Sequence, residues 1–140
     1  MGRKEKKIKK FEEISHTADA AVLVFGENKV ELFTNAIQGM YHLMGLKLNE
    51  DEGAENSKID LNENDLETLL VSFLTEILIS VEKGIGFKEF DIEIENTALK
   101  GKMSGYTVDS YDIQIKAVTF NELKIKKENS ILSTEIVFDV

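Results

Sequence analysis

The hydrophobic period of the chain changes at Gly84. Before it, Leu66, Leu69, Leu70, Phe73, Leu74, Ile77, Leu78 and Val81 recur at i, i+3, i+4, i+7 spacing, which lines one face of a helix. After it, Phe90, Ile92 and Ile94 alternate with Asp91, Glu93 and Glu95, which is the period of a strand with one face buried. A fold made only of helices or only of strands satisfies one half and not the other. The chain must join helices to a sheet.

The rest of the sequence extends both halves. Val30, Phe33, Ala36, Ile37, Met40, Tyr41 and Met44 predict a first helix, with Asn28 and Glu31 as an asparagine version of the capping box and Gly45 as the C-cap. Asn64 and Glu67 repeat the capping pattern ahead of the second helix, and Gly84 ends it. Residues 11–14 read as a short strand and residues 20–25 as a buried one, stopped by Gly26. Residues 46–53 read as an acidic loop and 54–61 as a weakly alternating strand. Leu99, Met103 and Val108 lie in a stretch broken by Gly101 and Gly105. Ile113, Ile115, Ala117 and Thr119 predict one face of a further strand, with Leu123 and Ile125 continuing it and Phe120 at a bend. Glu128, Asn129 and Ser130 form a turn, after which Leu132, Thr134, Ile136, Phe138 and Val140 share a face. The 140 residues fit one domain. The expected fold is α+β, a single domain in which two amphipathic helices cover one face of a mostly antiparallel β-sheet.

Composition narrows the chemistry. With no cysteine there is no disulfide scaffold, thiolate metal site or cysteine nucleophile, which fits a reducing cytoplasm. No apolar run is long enough to span a membrane, and the basic residues 1–10 lack the apolar core of a secretory signal; they read as a solvated, disordered tail or else as an arm that docks on nucleic acid or a partner. The net charge of −9 argues against a phosphate-backbone binder and for a protein, metal ion or basic ligand as partner. P-loop, dinucleotide fingerprint, nucleophile elbow and H-E-x-x-H are all missing.

A few residues remain as candidates. His42 falls on the polar side of the first helix and reads as a surface residue. His16 lies in a polar corner with Asp19, where it either caps a turn or serves a site. Asp19, directly before a buried strand, is either a turn cap or a cation ligand, because a bare buried carboxylate is very costly. Asp139 alternates away from the Phe138 face, next to the carboxylate of Val140 if the chain ends there. Should Asp19 and Asp139 meet, they repel, and a hard divalent cation with oxygen ligands reverses the sign. Lys116, among strand residues, either points to solvent or neutralises such an acidic cluster.

These places also carry a resemblance. His16-Thr17-Ala18-Asp19 looks like the H-T-A-D motif of the archease family, between a short strand and an apolar strand ending in glycine. Residues 69–74 are similar to its second-helix signature, with Phe73 where tryptophan is common. Residues 116–120, K-A-V-T-F, resemble its K-A-[VLI]-T-[YF] motif, and residues 137–140 its hydrophobic-aspartate-hydrophobic ending. Ala20 and Ala21 depart from the isoleucine or valine usual after H-T-A-D. The similarity runs over residues 11–140, in order.

The resemblance implies a cytoplasmic accessory protein, not an enzyme. Its partner would be the GTP-dependent tRNA-splicing ligase, whose guanylylation and multiple turnover it promotes, with tRNA reached only through the ligase and no membrane involved. It also implies a divalent cation, calcium before magnesium, held by Asp19, Asp139 and Val140, with Lys116 and His16 serving activation or the partner. Two rivals stand beside it. A metal-dependent hydrolase would use Asp19, Asp139 and His16 on a bound water. A chaperone or RNA-binding module would need exposed strand aromatics, whereas Phe90 and Phe138 fall on inward faces.

Overall fold

The computed structural model describes residues 8–14, 19–51, 55–120 and 122–140. The elements run β1 (Phe11–Ile14), β2 (Ala20–Gly26), α1 (Lys29–Met44), β3 (Lys47–Asn49), β4 (Glu55–Asn62), α2 (Leu66–Glu82), β5 (Ile85–Glu95), β6 (Ala98–Ser110), β7 (Ala117–Thr119), β8 (Lys126–Glu128) and β9 (Ile131–Asp139). All strand pairings are antiparallel. The α+β expectation holds, with one difference: the strands form two sheets. One runs β1-β2-β9-β7 with β8 also on β9; the other centres on β6, which pairs with β3, β4 and β5.

Both helices touch both sheets. α1 packs on β1, β2 and β9 and reaches β5; α2 packs on β4, β5 and β6 and reaches β7. Phe73 of α2 lies between Phe33 of α1 and Phe90 of β5, with ring centroids 5.9 and 6.0 Å away. Phe33 and Phe73 are fully buried. Offset and edge-on ring contacts of this kind add to the gain from burying their area.

The first helix is capped as its sequence predicts. Asn28 Oδ1 accepts the Glu31 N–H at 2.9 Å, and the Glu31 carboxylate reaches back to the Glu27 N–H at 3.2 Å. Gly45 takes the left-handed conformation (φ 65°), and the N–H groups of Gly45 and Leu46 close on His42 and Tyr41. The second helix starts one residue later than the Asn64–Glu67 pattern suggests. Asp65 is its cap and accepts the Thr68 N–H at 2.7 Å. Glu67 is thereby free to accept the Ile125 N–H at 3.2 Å, tying the chain before β8 to the helix.

Three sheet segments differ from the sequence reading. Residues 47–49, read as loop, form β3 and pair with the end of β6. The stretch around Gly101 and Gly105 is one continuous 13-residue strand. These glycines do not interrupt it but let it lie close to β5: a Cβ on Gly101 would strike the Asp91 carbonyl, and one on Gly105 the Gly86 carbonyl. Conversely, residues 113–116 are not strand. The N–H groups of Asp112 and Ile113 both turn to the Met44 carbonyl, at 2.8 and 3.1 Å, satisfying the end of α1 instead of a ladder. Only Ala117–Thr119 of that run pairs. The predicted turn at residues 128–130 is present as a two-residue hairpin, with positive φ at Asn129 (51°) and Ser130 (66°) and Glu128 facing Ile131.

Three tests follow from these contacts. Gly105→Ala cannot be absorbed by side-chain movement because its neighbour is backbone; a loss of about 1–3 kcal/mol is expected in urea melts. Asn28→Ala should cost about 1 kcal/mol in the same assay. The Thr68 N–H holds the Asp65 carboxyl below its ordinary range, so its cap contributes fully above the unfolded carboxylate pKa and fades as pH falls through the lower, folded one. Asp65→Asn should therefore flatten the acid side of the stability–pH curve, and an unchanged acid limb would exclude this role.

Candidate functional site at the convergent strand ends

β9 runs through the middle of the first sheet. On one side it pairs with β2 from Gly26↔Leu132 to Ala20↔Phe138. On the other it pairs with β7 from Thr119↔Val137 to Ala117↔Asp139. Continuing the β2–β9 register by one residue sets Asp19 level with Asp139. Residues level on neighbouring strands stand about 4.5–5.5 Å apart at Cβ. Across the other ladder, the Lys116 N–H donates to the Asp139 carbonyl at 2.7 Å. The strand order thus brings Asp19, Lys116, Asp139 and Val140 to one end of one sheet, although they come from the two ends of the chain.

This end is wet. Asp19, Lys116, Asp139 and Val140 are all exposed, while Ala21, Ile136 and Phe138 beneath them are fully buried. Among the described residues the Lys116 ammonium forms no ion pair, so its contact with Asp139 is through backbone alone. His16 lies outside the described residues. His42 packs instead beside β1: its ring lies 5.2 Å from that of Phe11 and its Nε2 3.7 Å from Glu13, a half-exposed surface contact.

Among the described residues no three His, Cys, Asp or Glu side chains cluster as a metal cage. The site supplies two level carboxylates and backbone oxygens. That donor set is all oxygen, as a hard cation requires, and leaves most coordination positions to water or to a partner's groups. It fits calcium or magnesium as a shared ion and does not fit zinc, which takes nitrogen and sulfur ligands.

A second concavity escaped the sequence reading. A cleft of about 640 Å³ opens between α1, β3 and β5, lined by Ile37, Tyr41, Leu48, Phe87 and Phe90 with Glu50 and Lys88 at its rim. Tyr41 donates to the Phe87 carbonyl at 2.8 Å, and burial pushes its phenol well above the ordinary tyrosine range. Glu50 and Lys88 pair at 2.5 Å, and the Glu50 carboxylate holds the Lys88 ammonium above its usual range. Nothing in the sequence pointed to it, because its walls come from one helix and two strands far apart in the chain.

Comparison with known proteins bears on the family and the fold. The model of the Archease protein family (MTH1598/TM1083) matches residues 11–140. Protein archease of Methanosarcina mazei is 32% identical over 142 residues, covering 94% of this chain and 97% of the relative. Protein archease of Pyrococcus abyssi is 30% identical over 129 residues, covering 86% and 90%. Among solved structures, an archease from Thermotoga maritima, described as a possible chaperone, superposes with a TM-score of 0.70 at 23% identity over 100% of both chains. That last likeness bears on the fold; the family model and the sequence relatives bear on descent. The chain belongs to the archease family.

Proposed function

We propose that this protein is a cytoplasmic accessory factor that activates a GTP-dependent tRNA-splicing ligase, promoting its guanylylation and repeated turnover while catalysing no reaction itself. The observation that carries the reading is the convergence of Asp19, Asp139 and Lys116 on adjacent strand ends. It rests also on the family's known role, carried over to the matching positions.

The chemistry of the corner suits such a role better than hydrolysis. A hydrolase needs a base poised on a water and a group to protonate the leaving oxygen. Two exposed carboxylates and a lysine without an ion pair among the described residues offer no desolvated cavity. They do offer a solvent-facing pair of oxygen ligands and a cation that a partner can reach. A bound divalent ion would supply charge neutralisation at Asp19 and Asp139, and the ligase would complete its coordination shell. No step of the ligation is assigned to this chain.

The two carboxylates repel in the absence of an ion. Both are exposed, so the dielectric of water applies, and at about 5 Å the repulsion is about 0.8 kcal/mol. Asp139→Asn should then leave the ion-free protein equally or slightly more stable and should lose the rise in Tm that calcium or magnesium gives the parent protein. An equal rise in the variant would remove Asp139 from the cation site. Separately, Asp19→Ala and Asp139→Ala should melt cooperatively near the parent temperature yet leave the ligase at single turnover in a multiple-turnover RNA ligation assay. Full stimulation by the folded double variant would refute the proposal.

A further inference from the structure

Among the described residues β5 has a neighbouring strand on one side only: it pairs with β6 and with no other. Along residues 89–95 its other edge therefore presents backbone N–H and C=O groups without a ladder, over about 20 Å. The start of the strand is closed off differently: a register shift falls between Phe87 and Glu89, and the Phe87 carbonyl is taken by Tyr41.

The side chains along this edge are ordered by charge. Glu89, Asp91, Glu93 and Glu95 point to the exposed face, one every second residue, about 6.8 Å apart. On β6 they stand beside Ser104, Lys102, Lys100 and Ala98, so two of the four carboxylates have a lysine on the inner side and all four are open on the outer side. The inward row is apolar. Ile92 is buried, while Phe90 and Ile94 are only half-buried, and Phe90 also forms part of the wall of the cleft beside α1.

This pattern selects its occupant. A second copy of the chain would set carboxylate against carboxylate across the new pair, which is destabilising. A nucleic-acid backbone or an anionic membrane meets the same repulsion. We infer that residues 89–95 of β5 accept, by strand addition, an extended segment of a partner protein in which Lys or Arg alternates with apolar residues. The basic side chains would face Asp91 and Glu93, the apolar ones would cover Phe90 and Ile94, and the backbone would complete the open ladder. The site lies on the other sheet from the acidic corner and does not depend on it.

The test uses a fluorescent peptide of about eight residues alternating Lys and Val, titrated against the full chain by anisotropy. Two further peptides carry N-methyl groups on alternate residues, one in each phase. In strand addition only one phase points its N–H groups at β5, so one methylated peptide should lose binding and the other keep it. Asp91→Lys with Glu93→Lys should weaken the Lys–Val peptide at least about fivefold and favour a Glu–Val peptide instead. The milder pair Asp91→Asn with Glu93→Gln, checked for an unchanged thermal melt, should fall between. No binding to the parent protein, equal behaviour of the two methylated phases, or indifference to both charge variants would each overturn the inference.

Discussion

The ladder between β2 and β9 is the interaction on which the rest of the structure depends. It joins a strand near the beginning of the sequence to one near the end, register fixed from Gly26↔Leu132 to Ala20↔Phe138. The register is enforced by burial. Val22 and Ile136 lie level in the core and Phe138 is fully covered, so a slip of β9 by one residue would turn Ile136 and Phe138 to solvent and Glu135 inward. Burying such a carboxylate unpaired would cost far more than any surface contact gains. With β9 held this way, Asp139 has no choice of neighbour: the residue before β2 is on one side and the start of β7 on the other.

The helices supply the platform beneath. Phe73 between Phe33 and Phe90 links both helices to the second sheet, while α1, with Ala36, Ile37 and Met40 buried, packs against β2. The glycines of β6 let that strand lie close against the β5 backbone. Small residues thus set the distances and large ones fill the space, as a close-packed interior requires. The exposed corner at Asp19 and Asp139 contributes little to this stability, which leaves it free to be acidic.

How much of this is legible in sequence depends on whether the signal is local. The caps of α1 are local chemistry, and Asn28 and Gly45 were readable because each acts within four residues. The capping-box template points to Asn64, which has Glu67 three residues on, whereas the true cap Asp65 has Thr68 there and is revealed only by its bond to the Thr68 N–H. β3 is three residues long and has no alternation of its own to read. Residues 113–116 alternate like a strand, yet the N–H groups of Asp112 and Ile113 go to Met44, a partner that no periodicity reveals. The candidate site shows the same limit. Its residues stand out by type and by their resemblance to family motifs, but alternation specifies faces and not neighbours, so only the strand order shows that the β2–β9 register, continued by one residue, sets Asp19 level with Asp139. The open, acid-lined edge of β5 was half visible: the alternating carboxylates were plain, and the missing neighbour was not.

Contacts between residues so distant in sequence are slow to form, because a long loop must close before they are rewarded. Hairpins such as β5–β6 and β8–β9 join nearby residues and are expected early. The β2–β9 ladder closes nearly the whole chain and is expected late. The acidic corner is therefore expected to assemble among the last parts of the molecule, so the two ends of the chain become a shared surface only once the segments between them have come together.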